Sequence, residues 1–282
     1  MDLAPAGSIR HIRRVGWLGF VVVFAVGGVA HAGPLSNPAF LGIKMVDGRP
    51  GCVVESVTKG SAAQDAGLRS SDLIAAMDNV PTLDCTQLKL QILEHPPGDN
   101  VRIDVRRAID HVVLKVSLST RAEVLHRRFV GHAMEATELT DVDDAKRSYD
   151  LADRRGRTTV VGWFTKQCVG CAPVFDRVAD GLAKRSGTSP FVLAVTQRPA
   201  QDDLSLLRKS FPTSIALAAA DNATFEDLAI DDPERIHFMV IDCRGVVRFV
   251  APVAPDSDDL DAAVDEVLAA AEQAEHARVS RR

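Results

Sequence analysis

The chain has 282 residues, of which 46% are apolar and 25% are charged, and its formal net charge is −5. This length accommodates two domains of ordinary size, and the composition is that of a chain that folds around hydrophobic cores. The negative charge, without any cluster of basic and aromatic residues, argues against nucleic-acid binding, so we predict no nucleic-acid partner.

Residues 1–32 have the pattern of a targeting segment. Three arginines, at positions 10, 13 and 14, precede an uncharged apolar run from Val15 to Val29, and Ala30-His31-Ala32 then offers the small residues that signal peptidase accepts. We therefore expect a signal peptide that is cleaved after Ala32 and a periplasmic protein. The alternative is an uncleaved inner-membrane anchor with the remaining chain facing the periplasm, although the run is shorter than the roughly 20 apolar residues of a membrane span.

The next part of the chain, up to residue 120, alternates short strands with two helices. Glycine, proline and aspartate turns separate the segments. The predicted strands are Cys52–Val57, Asp72–Met77, Val101–Arg106 and Val112–Leu118, and the predicted helices are Ser61–Leu68 and Thr86–Glu94. The second helix carries Leu88 and Ile92 on one apolar face.

Several short motifs in this region carry a resemblance. Phe40-Leu41-Gly42-Ile43, Gly60-Ser61-Ala62-Ala63 and Ala66-Gly67-Leu68 stand in the order found in the PDZ domains of bacterial HtrA proteases. The resemblance implies a PDZ domain over residues 36–121, mainly β with two helices. It departs from the usual pattern at Asn79, and no serine-protease nucleophile motif accompanies it.

The resemblance to PDZ domains also implies a peptide-binding groove. The groove would lie between the strand that starts at Ile43 and the helix at 86–94. The amides of Leu41, Gly42 and Ile43 would hold the terminal carboxylate of a peptide that adds a strand to the sheet, and Leu88 and Ile92 would contact that peptide. The partners implied are the C-termini of peptides or proteins.

The second half of the chain has an α/β pattern. We predict a linker over residues 122–130 and a domain over 131–278 with a mixed central sheet and helices on both faces. The predicted elements are, in order, strand Thr158–Phe164, helix Ala172–Arg185, strand Phe191–Val195, helix Asp203–Phe211, the hairpin of Phe238–Ile241 and Val246–Val250, and helix Asp258–Ala277.

Cys168 and Cys171 form a Cys-Val-Gly-Cys motif between the first strand and the first helix of this domain. A helix N-terminus favours an anion, so Cys168 would be the nucleophilic thiolate and Cys171 the resolving cysteine of thiol–disulfide exchange. A zinc half-site would need two further ligands, and a copper-handling relative would favour a three-residue gap and a distant histidine. A structural pair is possible, but the strand-to-helix context favours redox chemistry. We predict neither a metal nor a cofactor.

Further motifs resemble those of the TlpA-like branch of thioredoxin-fold proteins. They are Gly131, Leu139-Thr140-Asp141, the run Tyr149 to Arg157, Trp163-Phe164 and Ile241-Asp242 with Gly245, together with the two cysteines. The resemblance implies a periplasmic thiol–disulfide oxidoreductase that acts on client thiols and disulfides and exchanges electrons with a redox partner.

Three positions depart from that family. Ile236 stands where the family carries a cis-proline, Gly162 where a buried acid often takes the proton of the resolving cysteine, and Gln167 where an aromatic residue precedes the first cysteine. His237 could face the dithiol and stabilise the Cys168 thiolate, although a structural role at a strand end is the stronger expectation. These departures predict action on few partners rather than general thioredoxin activity.

The remaining cysteines are Cys52, Cys85 and Cys243. Cys52 and Cys85 could form a disulfide in the PDZ domain, which leaves Cys243, in a hairpin turn, as the odd thiol. The sequence thus predicts a thiol–disulfide oxidoreductase whose PDZ module recruits C-termini. The alternatives are a PDZ-led scaffold with a redox-impaired thioredoxin-like domain and an envelope protease cofactor that acts through the PDZ domain.

Overall fold

The structure is a computed structural model that describes residues 38–48, 50–153, 156–185, 190–198, 201–230, 232 and 234–279. The predicted signal peptide lies outside the described residues. Among the described helices, none combines the length and the apolar character that a membrane crossing would need.

The first domain contains eight strands and two helices. The strands are β1 Ala39–Phe40, β2 Ile43–Gly48, β3 Gly51–Val57, β4 Leu73–Met77, β5 Val80–Pro81, β6 Asn100–Arg107, β7 Asp110–Ser117 and β8 Ser119–Thr120, and the helices are α1 Ala62–Asp65 and α2 Cys85–Glu94. The main sheet has the order β2-β3-β4-β6-β7, β5 pairs with β4, and β1 pairs with β8. The last pairing brings the two ends of the domain together.

Both helices of this domain begin at a polar cap. The Ser61 side chain accepts a hydrogen bond from the Gln64 amide at the start of α1, and the Asp84 side chain accepts one from the Gln87 amide at 2.7 Å. Such caps satisfy amides that have no partner within the helix. Leu88 is fully buried and packs with Ile103 and other strand residues, so α2 closes one side of the domain core.

The segment predicted as a linker is instead a helix, α3, which spans Arg121–Phe129. Thr120 and Glu123 form a capping box at its start, a local pattern that favours a helix. Leu125 and Phe129 are buried in the hydrophobic core of the second domain. The prediction of a linker over 122–130 is therefore corrected: the chain passes from the first domain directly into an element that packs in the second.

The second domain is built on a mixed sheet, as predicted, which has seven strands among the described residues. Its strands are β9 Glu138–Asp141, β10 Ser148–Asp150, β11 Thr159–Phe164, β12 Phe191–Gln197, β13 Ala216–Ala220, β14 Ile236–Ile241 and β15 Val247–Val253. The order is β10-β9-β13-β12-β11-β14-β15. Strands β11, β12 and β13 run parallel, while β14 and β15 form the predicted antiparallel hairpin.

Helices cover both faces of this sheet. They are α4 Cys171–Arg185, α5 Gln201–Ser210, α6 Asn222–Leu228 and α7 Leu260–Val279, together with α3. Core residues of α4 and α7 pack on one face, and those of α3 and α6 pack on the other. The interior strand β11, between β12 and β14, is buried along its whole length, because it is covered on both faces.

Candidate active site and peptide groove

Cys168 and Cys171 lie where β11 gives way to α4. The loop after Phe164 turns back on itself through a hydrogen bond from the Cys168 amide to the Thr165 carbonyl, at 3.1 Å. Helix α4 begins at Cys171, so the amides of its first turn point towards the loop that carries Cys168. The sequence-predicted placement between strand and helix is confirmed.

The two sulfurs are joined in a disulfide, and they differ in exposure. Cys171 is 2% exposed, whereas Cys168 is only partly buried. Val169, next to Cys168, is 90% exposed. An incoming thiolate therefore has access to the sulfur of Cys168, while Cys171 is shielded by the core. This asymmetry fits a nucleophilic role for Cys168 and a resolving role for Cys171.

Gln167 and Ile236 sit differently around this pair. The Gln167 side chain is exposed, so the surface beside Cys168 is polar at this position, and the Gln167 backbone N–H donates to the Thr165 hydroxyl at 3.3 Å. Ile236 is fully buried at the start of β14 and belongs to the hydrophobic cluster that contains Cys171. The structure thus brings an aliphatic side chain to the dithiol side of the sheet at the position where the family carries proline.

His237 points away from the dithiol. Its neighbours in β14, Ile236 and Phe238, pack with Cys171, and side chains alternate along a strand, so His237 faces the other side of the sheet. There it lies opposite Trp163 in register. Neither ring nitrogen of His237 has a hydrogen-bond partner among the described residues. The sequence left open whether His237 reaches the dithiol, and this placement favours the structural role.

Burial governs the protonation of His237. The ring is fully buried, and desolvation, followed by the nearby positive charges of Arg121 and Arg235, lowers its pKa to about 3. The imidazole is therefore neutral at neutral pH and does not supply a positive charge.

Gly162 leaves no room for the acid that the family often carries. A Cβ atom at this position would lie 2.4 Å from ring carbons of Phe175 and 2.8 Å from Phe238. Both rings belong to the core beneath α4. An acidic side chain at this position would therefore clash with the two rings, which come from segments that are distant in the sequence.

The segment Leu41-Gly42-Ile43 has the geometry of a carboxylate-binding loop. The Ala63 amide donates to the Leu41 carbonyl at 2.9 Å, and the Thr58 amide donates to the Gly42 carbonyl at 2.9 Å. With these carbonyls held by the domain, the amides of Leu41 and Gly42 donate no hydrogen bond within the described part of the chain. Such unpaired amides are suited to a carboxylate.

Glycine is required at the centre of this loop. Gly42 has a φ of +83°, which favours glycine, and a Cβ atom there would lie 2.2 Å from the Cβ of Ser61. The Ser61 hydroxyl also donates to the Gly42 carbonyl at 3.2 Å. The close approach of α1 therefore sets the shape of the loop.

A cavity lies between β2 and α2, but neither of the predicted helix residues, Leu88 and Ile92, lines it. Leu88 and Ile92 are 0% and 7% exposed and point into the domain core. The cavity of about 400 Å³ beside β2 is lined on the helix side by Cys85, Thr86 and Lys89. Direct peptide contacts of Leu88 and Ile92 stay a prediction.

A disulfide joins Cys52 of β3 to Cys85, the first residue of α2, which confirms the pairing considered from the sequence. Cys243 is the free cysteine and is partly buried. Of the two disulfides, this one therefore fastens the helix wall of the groove to the sheet.

Of the twelve residues that line the cavity, the sequence analysis named Ile43 alone as a peptide contact. Arg121, Glu226 and Ala229, which belong to α3 and the end of α6, line it together with residues of the first domain. The charge of Glu226 and the exposed face of α6 carry no distinctive motif, so only the folded arrangement reveals their place beside the groove.

The two domains are similar to different sets of known proteins. Residues 39–120 match the family model of the PDZ domain. The structure of the HtrA-type protease AlgW with a decapeptide is 24% identical over 30% of this chain and 30% of that chain, with a TM-score of 0.29. The present chain thus spans less than a third of that protease. No curated protein matches the chain.

The second domain is similar to other solved structures. A protein described as a thiol:disulfide interchange protein, DsbE, from Chlorobium tepidum is 19% identical over 50% of this chain and 97% of that chain, with a TM-score of 0.42. A protein described as a thiol-disulfide oxidoreductase from Bacteroides vulgatus is 22% identical over 49% and 96%, with a TM-score of 0.38.

The chain therefore combines two domains of known fold. The strand order, the paired helices and the family match define the first as a PDZ domain. The mixed sheet with β11 as an interior strand, helices on both faces and a Cys-x-x-Cys disulfide before α4 define the second as thioredoxin-like.

Proposed function

We propose that this protein is a periplasmic thiol–disulfide oxidoreductase whose PDZ domain recruits the C-termini of clients or partners. The observation that carries the proposal is the disulfide between the accessible Cys168 and the buried Cys171, placed before the first turn of α4. Stabilisation is a weak explanation for this disulfide, since it closes a loop of only a few residues and removes little chain entropy.

The exchange would proceed through Cys168. A client thiolate attacks the Cys168 sulfur, the bond between the two cysteines breaks, and Cys171 leaves as a thiolate. A second client thiolate then attacks the client sulfur of this mixed disulfide, which releases Cys168 as a thiolate and leaves an oxidised client. The same steps in reverse reduce a disulfide of the client. In either direction, a redox partner would return the Cys168–Cys171 pair to its starting redox state.

The Cys171→Ser variant should accumulate a mixed disulfide with a disulfide-bonded client, because the Cys168 thiolate opens the client disulfide and no Cys171 thiol is left to release the client, whereas Cys168→Ser should lose exchange. Cys243→Ser is the matched control and should retain the wild-type rate. Insulin reduction and non-reducing gels after acid quenching measure both effects. Normal exchange by Cys168→Ser would contradict the assignment of the nucleophile.

A scaffold with a redox-impaired second domain is the alternative. The packing of Ile236, the lack of space for an acid at Gly162 and the polar Gln167 favour it, because each departs from the family pattern around the dithiol. The reduction potential of the Cys168–Cys171 couple separates the two functions. A reversible couple supports the enzyme, and a disulfide that does not exchange supports the scaffold.

Location in the periplasm is part of the proposal and rests on residues 1–32. Fractionation of cells that produce the chain, with N-terminal sequencing of the mature protein, tests it. Cleavage after Ala32 is the expected result. Retention of the whole segment in the membrane fraction would favour the inner-membrane anchor.

A further inference from the structure

The cavity beside β2 is lined by charged as well as apolar side chains. Three basic residues, Lys44, Lys89 and Arg121, line it, whereas Glu226 is the one acidic residue among its lining residues in the described part of the chain. The lining therefore carries more positive than negative charge at neutral pH. Which of these cations is available to a bound peptide depends on the partners that each one already has.

Two of the three cations are engaged within the protein. The Lys44 ammonium nitrogen lies 3.1 Å from the Glu226 carboxylate and 3.4 Å from the Glu55 carboxylate. The Arg121 guanidinium donates from Nη1 to the Ala229 carbonyl at 2.8 Å. A ligand that paired with either cation would have to compete with these contacts.

Lys89 of α2 has no such partner. It is exposed, and its ammonium group makes no ion pair or hydrogen bond with any of the described residues. On a helix, residues three and four positions apart are neighbours. For Lys89 these neighbours are uncharged: Cys85, Thr86, Ile92 and Leu93. The Lys89 ammonium is therefore free to pair with a group that enters the cavity.

Lys89 and Lys44 lie on different sides of the edge of β2. This strand ends its sheet, so one of its edges has no neighbouring strand among the described residues. Ile43 and Met45 pack with the core that contains Leu88 of α2. Because adjacent side chains in a strand point to opposite faces, Lys44 points away from α2. On the side of α2, the helix lines the cavity with one charged residue, Lys89.

A peptide strand that pairs with the free edge of β2 would alternate its side chains between these two sides. Every second side chain would face α2, where a carboxylate would attract the Lys89 ammonium and a lysine would be repelled. Two carboxylates at the start of α2, those of Asp47 and Asp84, do not line the cavity. Both accept hydrogen bonds from amides of the helix, so they do not occupy Lys89.

We propose that Lys89 is a specificity-determining residue of the peptide groove and favours C-termini with an acidic side chain that faces α2. This inference rests on the proposed recruitment of C-termini and names the class of tail that is recruited. Because the ion pair is exposed, it contributes more to the choice between tails than to the total affinity.

Binding of fluorescent hexapeptides to the full chain tests the proposal. The peptides end in valine and carry glutamate, glutamine or lysine at one of the three preceding positions, and fluorescence anisotropy at low salt measures their affinities. At a position that faces α2, we expect glutamate to bind about two- to five-fold more tightly than glutamine, with no preference at the adjacent positions. Lys89→Gln should remove the preference, and Lys89→Glu should favour the lysine peptide.

Lys115→Gln is the matched control. Lys115 is exposed in β7, at the opposite end of the sheet from β2, and it does not line the cavity. The variant removes the same charge from the same domain and should retain the wild-type preference. As a second measurement, a carbodiimide should join the peptide glutamate to the Lys89 amine as an amide, with loss of water. Mass spectrometry of a digest should locate this crosslink at Lys89.

The failures of the two proposals are distinguishable. If no peptide binds the wild-type chain, recruitment of C-termini is overturned and this inference with it. If peptides bind but glutamate is not preferred, or the preference survives in Lys89→Gln, only the role of Lys89 is overturned. An equal loss of preference in Lys115→Gln would also overturn that role, because long-range attraction would then explain the selection. So would a crosslink at Lys44 alone.

Discussion

Gly162 and His237 are both buried in the second domain, but they affect its stability in opposite ways. Gly162 permits close packing, whereas His237 carries a free-energy cost. Gly162 allows the rings of Phe175 and Phe238 to meet over β11, so the helix that follows the dithiol lies close to the sheet. His237 places an imidazole without hydrogen bonds in the other half of the core, which costs free energy that an apolar ring would not cost.

Gly162→Ala should destabilise the second domain by about 1–3 kcal/mol, because the added carbon overlaps aromatic rings with no free space around them. Urea unfolding measures the change. Gly181→Ala in α4 is the comparison, since there the new carbon meets the flexible end of Leu268. We expect a smaller loss for Gly181→Ala, and equal losses would contradict the role of the rings.

Acid should destabilise the fold through His237. The pKa of His237 is lowered from 6.5 to about 3 in the folded chain, so between these pH values the unfolded chain binds a proton that the folded chain does not. The free energy of unfolding therefore falls as the pH falls through this window, by up to about 1.4 kcal/mol per pH unit from this group.

His237→Leu should make the free energy of unfolding less dependent on pH between 6.5 and 3. Urea titrations at several pH values provide the measurement. His111→Gln, at a solvent-exposed position, is the control and should keep the wild-type profile. An unchanged slope in His237→Leu would show that other groups govern the acid response.

At the scale of elements, α3 belongs to the domain that follows it. Leu125 and Phe129 are part of a core that also contains Trp163 and Phe225. Removal of these two large apolar side chains would expose the core surfaces that they cover, and this would lower the stability of the second domain.

A fragment that begins at Ser119 should therefore be more stable than one that begins at Gly131, by at least about 3 kcal/mol, since the shorter one loses the contacts of both side chains. Urea unfolding of the two fragments, followed by the fluorescence of Trp163, measures the difference. Coincident transitions would mean that α3 contributes nothing to the domain.

Most elements could be predicted where one pattern dominates. The buried run of β11, the amphipathic α4 and the β14–β15 hairpin were all predicted from periodicity and turns. Strand β13 was missed, because Ala216–Ala220 is alanine-rich and lacks the β-branched residues that are typical of a strand. It forms a strand by pairing in parallel with β12. The roles of Gly162 and Glu226 depend on atoms from distant segments, which no local pattern contains.

At the scale of the whole molecule, exposed contacts join the two domains. The Arg127 guanidinium lies 3.0 Å from the Asp65 carboxylate, and the Lys44–Glu226 pair lies beside the groove. Exposed pairs of this kind contribute at most about 1 kcal/mol each. Together with α3, they connect the domain that carries the groove to the domain that carries the dithiol. Under the proposed function, a tail bound in the groove would raise the concentration of its client near Cys168.

A client should therefore exchange faster when its C-terminal tail is intact. Removal of its last four residues should slow exchange with the full chain, while exchange with free dithiothreitol stays unchanged. Stopped-flow measurements on both client forms test this expectation. Equal rates with the full chain would show that the groove and the dithiol act independently.

The two disulfides differ in the length of chain that they close and in their exposure to solvent. Cys52–Cys85 spans 33 residues, for which loop entropy predicts a stabilisation of about 3–4 kcal/mol, and Cys52 has no exposed surface. Cys168–Cys171 spans three residues and presents one sulfur to solvent. We therefore expect a mild reductant to open Cys168–Cys171 before Cys52–Cys85, so that the peptide groove keeps its shape when the dithiol is reduced.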